Sequence, residues 1–302
     1  MPSDFTVWGV HMGAHVGDQP IEQGYVAIGW SEVGDLTSIP ADREAYKEAV
    51  ARAYPDKKPG AIPIEAGTLY KFAHVIKAGD VVVYPSKSDR MVNIGRFTGA
   101  ISYHEGDGYP TRQHVEWLGH YPRDEFSQAA LHEIGSFLTL FRVRRYASEF
   151  LAKVNLHTAL AGTEITEDDA SDEAADDETA TASATVQAEA STSDFVIKRL
   201  MHELSGHQFE DFMAHLLECM GYTARVTPKS GDGGVDVIAH KDPLGFEPPI
   251  VKVQCKRTTS QTPRPDVDRL LGTLGDGEYG LFVNLGSYAK GAVELERNRA
   301  KL

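Results

Sequence analysis

Apolar positions along this chain follow two different rhythms, and a stretch with almost no large apolar residues separates them. In residues 1–155 they come in short runs, over 5–11, 25–30, 80–85, 92–103, 114–118 and 138–145, punctuated by Gly, Pro, Asp and Ser. Runs of that length between turn-formers predict β-strands, and a helical rhythm covers about 43–54. This part reads as a mostly β domain.

After residue 193 the rhythm alternates between helix and strand. Ser205 and Gln208 have capping-box spacing, and Leu204 and Phe209 have the spacing of a hydrophobic staple. Phe209, Phe212, Met213, Leu216, Leu217 and Met220 then recur at helical spacing, forming one apolar face that stops at Gly221. A turn-rich stretch, Lys229-Ser230-Gly231-Asp232-Gly233-Gly234, leads to an alternating strand over 235–239. A second strand over 250–256 follows a proline-bearing loop, which predicts a hairpin. A helix over 266–274, an apolar strand over 279–285 and a helix after Ser287 complete an α-β-β-α-β-α order, an α/β core on a mixed sheet.

Residues 156–193, between the two parts, are mainly Ala, Thr, Ser, Asp and Glu. With so little apolar surface to set against the entropy of ordering, they are expected to form a flexible, self-repelling acidic linker. The domains then span 1–155 and 194–302. Charge alters this picture in one respect. A net charge of -14 argues against a nucleic-acid partner, but eleven acids and no Lys or Arg lie between Val154 and Ile197. The two flanking parts are therefore near neutral and can carry local basic surfaces. No apolar run approaches the roughly 20 residues needed to span a bilayer, and MPSDFTVWGV lacks the charged and apolar regions of a secretory signal. A cytoplasmic protein without a membrane partner is expected. Cys219 and Cys255 are too few for a disulfide framework and stand in apolar segments, as core residues do.

The candidate chemistry lies in the second part. Asp236 stands in an otherwise apolar strand, an expensive place for a lone carboxylate. Either Lys256 on the neighbouring strand pairs with it, or it holds a divalent metal together with Glu210 and the backbone carbonyl near Cys255. These are hard oxygen donors of the kind magnesium accepts. Strand alternation puts Gln254 and Lys256 on one face, with Val251, Val253 and Cys255 on the other. Arg257 and Arg264 follow this strand and read either as phosphate contacts or as part of a solvated loop; Asp232, before two glycines, is expected to shape the turn.

Phe209-Glu210, Gly221-Tyr222, Gly231-Asp232-Gly233-Gly234-Val235-Asp236-Val237-Ile238-Ala239 and Val253-Gln254-Cys255-Lys256-Arg257 together resemble the Mrr-like restriction endonucleases of the PD-(D/E)xK superfamily. The resemblance covers about residues 195–302. It implies a catalytic set of Glu210, Asp236, Gln254 and Lys256, with Mg2+, or Mn2+ in its place, bound by Asp236, Glu210 and the Cys255 carbonyl. Lys256 would orient the attacking water, and Gln254 stands where the wider superfamily has an acid. It also implies a core continuing slightly past Leu302. Such a site hydrolyses a phosphodiester with an activated water and needs no covalent nucleophile.

In the first part, Phe5-Thr6-Val7-Trp8, Gly79-Asp80 through Tyr84-Pro85-Ser86, and Ile94-Gly95-Arg96 resemble the PUA-like superfamily, especially EVE-type modules. That implies a β-barrel reading a nucleic-acid base, with Trp8, Trp30, Tyr84 and Trp117 as aromatic walls and Ser86 as a polar contact. His11 and His15 are four apart, but Gly13 lies between them and no zinc site is expected. The combination implies a modification-dependent, type IV-like restriction endonuclease that acts on double-stranded DNA with modified cytosine, defends against foreign or phage DNA, and pairs as a homodimer to cut both strands. A first domain that reads RNA or a protein, and a non-catalytic DNA-binding protein on the nuclease scaffold, remain the alternatives.

Overall fold

Tertiary contacts divide the chain into two compact units, residues 1–193 and 194–302. The computed structural model describes residues 5–136, 138–156, 177–228, 234–242, 244–245, 247–299 and 301–302, and of 177–187 and 190 the backbone alone. The expected turn over 229–233, with Asp232, lies outside the described residues.

The first unit is built on six strands: β1 (Val7–Val10), β2 (Tyr25–Ile28), β3 (Val81–Pro85), β4 (Met91–Tyr103), β5 (Thr111–Pro122) and β6 (Leu140–Arg142). Their order is β2-β5-β4-β3-β1-β6, antiparallel except for the parallel pair β1 and β3. The sheet is open, which corrects the expected barrel. The physical reason is visible in β3, whose every residue is buried. Val82 and Tyr84 join one apolar cluster, with α2 (Arg43–Ala53) and α3 (Ala61–Tyr70) supplying Tyr46, Val50, Ala66 and Leu69. Val81 and Val83 join a second, with α4 (Gln128–Glu133) and α5 (Ala147–Lys153) supplying Ala130, Leu131, Phe150 and Leu151. A sheet covered by helices on both faces reads as a continuous apolar run, and it has no need to close on itself. One further helix, α1 (Gln19–Gln23), precedes β2. Sequence rhythm missed α3, because its apolar residues are not gathered on one face and it carries Pro63 and Gly67.

A long helix, α6 (Asp177–Glu203), covers the last part of the expected flexible linker. Ala180, Ala182, Ala184, Ala188 and Ala190 give this segment high helix propensity. It also runs on into Ile197, Leu200 and Met201, which pack beside Phe209. A polar composition excludes a core but not a helix anchored at one end. Residues 157–176 lie outside the described residues.

The second unit opens with α7 (Gly206–Cys219), whose capping box is complete: the Gln208 N–H donates to Ser205 Oγ at 3.3 Å and the Ser205 N–H to Gln208 Oε1 at 2.8 Å. Its buried face is narrower than the pattern implied. Phe209, Met213 and Leu217 are buried, whereas Phe212, Leu216 and Met220 are exposed. Four strands follow, β7 (Thr223–Val226), β8 (Val237–His240), β9 (Ile250–Lys256) and β10 (Glu278–Asn284), in the order β10-β9-β8-β7. β8 and β9 form the expected antiparallel pair, and β9 runs parallel to β10 across α8 (Arg264–Leu271). α9 (Lys290–Arg297) completes the unit. The extra strand β7 went unread because its four residues, Thr-Ala-Arg-Val, form a half-exposed edge with little apolar signal.

Candidate active site

Asp236 owes its place to the two strands that flank it. Its N–H donates to the Val253 carbonyl at 2.8 Å, extending the β8–β9 ladder by one residue, and its carbonyl accepts from Thr227 N–H at 2.9 Å. Val237 also faces Val253 in register, so Asp236 and Val237 share that partner and the ladder is irregular at Asp236. Gly234, two residues earlier, has φ +91°, and a Cβ there would lie 3.1 Å from Gln254 Nε2. Both the left-handed backbone and the close approach favour glycine, which seats the amide of Gln254 against the turn.

The Asp236 carboxylate accepts the Cys255 N–H on Oδ2 at 2.6 Å. In a strand the N–H and C=O of one residue project toward the same neighbour, so the Cys255 carbonyl projects toward Asp236 as well. Glu210, on α7 beside the buried Phe209, is 18% exposed and accepts from His207 Nδ1 at 3.0 Å. Both carboxylates act on Cys255 through their charge. Burial pushes its thiol up to about 12, and the negative charges of Asp236 and Glu210 add to the shift. Gln254 Oε1 is buried and has no hydrogen-bond partner among the described residues.

This donor set fits a hard divalent cation. It comprises two carboxylates, a carbonyl and an orphaned amide oxygen, and magnesium is commonly held by one or two carboxylates with waters completing its shell. It does not fit zinc or another metal that needs a closed protein shell. Among the described residues no group of three or more His, Cys, Asp and Glu could hold a metal.

Lys256 is exposed at the end of β9, and its ammonium pairs with Asp266 Oδ2 on α8. The ion pair with Asp236 that the sequence allowed is therefore replaced by a pair with a residue ten positions on. Asp266 and His207 were both missed: each is an ordinary polar helix residue, and the significance of Asp266 depends on what it meets in space. Arg257, half-buried, donates to the Met201 carbonyl and so ties β9 to the end of α6. Arg264 pairs with Asp268 on the surface of α8 at 3.2 Å. Cys219 is exposed, contrary to its expected core position, with Sγ 3.7 Å from His215 Nε2.

In the first unit the five candidate base contacts divide. Trp8 is 2% exposed and donates its ring N–H to Asp80 at 3.0 Å, so it anchors the core and is no open wall. Trp30 donates to Glu65 at 2.6 Å from a left-handed backbone of φ 65°. Tyr84, Ser86 and Trp117 do come together. The Tyr84 and Trp117 rings are 6.2 Å apart, and Ser86 hydrogen-bonds the Tyr84 hydroxyl, whose pKa burial drives up to about 12. Tyr84 and Ser86 are nevertheless nearly enclosed, and only Trp117 is part-exposed.

Next to Trp117 the structure adds His120, exposed and 6.3 Å from the indole ring, and the fully buried Asn93. Asn93 donates from Nδ2 to the Tyr84 carbonyl at 3.2 Å, which leaves Oδ1 facing His120 Nδ1 at 2.6 Å. An amide oxygen only accepts, so Nδ1 carries the proton. Desolvation lowers the His120 pKa. In the neutral ring Nε2 is thus an oriented acceptor beside an aromatic surface. A polar Asn inside the apolar strand β4 was the available sequence signal.

Residues 201–302 match the Mrr catalytic family, described as a restriction endonuclease, and residues 8–144 match a domain family of unknown function, DUF8426. No curated protein matches the chain. A solved structure of the MspJI restriction endonuclease in complex with a 27-mer oligonucleotide is similar at 15% identity and a TM-score of 0.28, over 80% of this chain and 62% of that one. This chain thus spans about three fifths of that relative's length. No helix among the described residues is long and apolar enough to cross a membrane.

Proposed function

We propose that this protein hydrolyses DNA phosphodiester bonds with Mg2+ at Asp236, Glu210 and the Cys255 carbonyl, in keeping with the match of residues 201–302 to the Mrr catalytic family, and that residues 1–155 direct it to DNA bearing modified cytosine. The observation that carries the reading is the Asp236 carboxylate held on the Cys255 N–H, beside the buried and unpartnered amide oxygen of Gln254.

A bound divalent cation would activate a water and offset charge on the scissile phosphate. The chain's own groups do the rest. The Asp236 carboxylate is fixed by the Cys255 N–H, so it meets a cation in one orientation without reorganising. Gln254 contributes a neutral oxygen where an acid would add charge, which leaves Glu210 as the second anionic donor. The Lys256 ammonium, on the same strand face as Gln254, holds the attacking water and the phosphate oxygen by hydrogen bonds and charge. In the first unit, Trp117 offers a stacking surface and His120 Nε2 an acceptor for a base turned out of the duplex. Defence against foreign DNA is the biological role consistent with cutting that depends on base modification.

Matched duplexes carrying cytosine, 5-methylcytosine or 5-hydroxymethylcytosine, incubated with Mg2+ or with chelator, test the proposal. Cleavage is expected only with metal and a modified base, and Lys256→Ala should reduce it to a small residual rate. Equal cutting of plain and modified DNA would remove the reading role while leaving the nuclease; cutting undiminished by chelator would remove the metal.

A further inference from the structure

We propose that Asp266 is a positioning residue for the Lys256 ammonium during strand scission; the inference rests on the nuclease reading above. Lysine carries its charge on a flexible four-carbon stem, and Lys256 leaves the end of β9 with its side chain 46% exposed. Nothing in its own strand sets where that charge goes. What sets it is the ion pair with Asp266 Oδ2, whose side chain is only 16% exposed. Asp236 meanwhile gives Oδ2 to the Cys255 N–H. The two carboxylates therefore have separate tasks, one toward the metal and one toward the lysine.

Asp266 is itself firmly held. It lies in the first turn of α8, with its N–H donating to the Pro263 carbonyl at 3.1 Å. The preceding Thr262 is fully buried and bridges to Tyr288; its N–H donates to the Ser287 carbonyl at 2.8 Å, and its carbonyl accepts from Ala289 N–H at 2.9 Å. Asn284 closes the circuit. It is the register partner of Lys256 on β10, and its amide donates to Thr262 Oγ1 at 2.5 Å and to the Ser287 carbonyl at 2.9 Å. The strand that flanks Lys256 thus also anchors the loop that delivers Asp266. Both ends of the ion pair are referred to one ladder. Arg269 Nη1, 3.7 Å from Asp266 Oδ1, approaches the other carboxylate oxygen and leaves Oδ2 to the lysine.

The test compares full-length protein with Asp266→Asn, Asp266→Glu, Lys256→Ala and the Asp266→Asn/Lys256→Ala double variant, on cytosine-methylated plasmid DNA with Mg2+. Displacing a catalytic group by about 1 Å can cost about 100-fold in rate. Asp266→Asn is expected to lower kcat on that order while KM stays within roughly threefold, since DNA binding is untouched. Asp266→Glu should recover most of the rate. In the Lys256→Ala background, Asp266→Asn should change nothing further, because its effect passes through the lysine. A kcat for Asp266→Asn at or above the unsubstituted value would overturn the proposal, as would a further fall in the double variant. If Asp266→Asn melts early, Asp266→Glu and the Lys256→Ala cycle decide the matter. Absence of any cleavage by the unsubstituted protein would defeat the nuclease reading itself, a result distinct from cleavage that is indifferent to Asp266.

Discussion

Asparagine at position 236 separates two things that alanine at the same position loses together. The Asp236 carboxylate accepts the Cys255 N–H at 2.6 Å and stands in the candidate metal site. A hydrogen bond to a charged acceptor contributes about 1.5–3 kcal/mol, a neutral one about 0.5–1.5. Asp236→Asn keeps an oxygen at the Cys255 N–H and should cost about 1 kcal/mol. Asp236→Ala leaves that N–H without its acceptor and should cost about 2–3 kcal/mol. For a domain the size of residues 194–302, each 1 kcal/mol moves Tm by about 4–8 °C. The asparagine variant should therefore melt about 5 °C low and the alanine variant about 10–15 °C low. Cleavage behaves otherwise: both variants lose an anionic metal donor and should fall by at least about 10³-fold. Calorimetry on the full chain, paired with cleavage of methylated plasmid, measures both quantities. Asp236→Asn cutting within tenfold of the unsubstituted protein would refute the metal assignment, and Asp236→Ala melting normally would refute the structural one.

The remaining predictions concern the first unit. Asp80 is buried and accepts from Thr6 N–H, Trp8 Nε1–H and Lys77 N–H at 2.9–3.0 Å; Asp80→Ala should cost about 3–5 kcal/mol in denaturant unfolding, and a loss below about 1 would show that these donors find other partners. His11 is held at a pKa of about 4 by burial first, then by the charges of Lys87 and Arg123. Its neutral form is the one the fold accepts, so the stability it contributes is complete above 6.5 and is lost as pH falls toward 4, about 3 kcal/mol in all. His11→Gln should flatten thermal stability across that window, and an unchanged acid dependence would assign the effect to other groups. In a cleavage-dead Asp236→Asn background, His120→Phe should weaken binding of modified duplex about tenfold by removing the Nε2 acceptor; equal affinity would remove His120 from recognition.

Much of the second unit was legible because its signals are local. The capping box at Ser205 and Gln208 is a four-residue pattern, and it forms as read. Strand alternation separated Gln254 and Lys256 from Val253 and Cys255, and only the latter pair packs into the core. Asp236 was conspicuous because an acid in an apolar strand needs a reason. The first unit was less legible. Its buried strands read the same whether a sheet closes into a barrel or is covered by helices on both faces, and the helices that decide between them include α3, which has no distinct apolar face. The acidic linker illustrates a related limit, because low apolar content argues against a core yet says nothing against the Ala-rich helix that occupies 177–193.

The sequence by itself determined which residue types the second unit has available and on which faces of its strands they lie, since side-chain direction in a strand depends only on parity. Tertiary structure alone decided the partners. Lys256 meets Asp266 and not Asp236, and Asp236 meets the Cys255 N–H. Ion pairs and hydrogen bonds fall off over a few ångströms, so a partner is settled by where α7 and α8 are held against the sheet. Residue order gives no measure of that distance until the chain has folded.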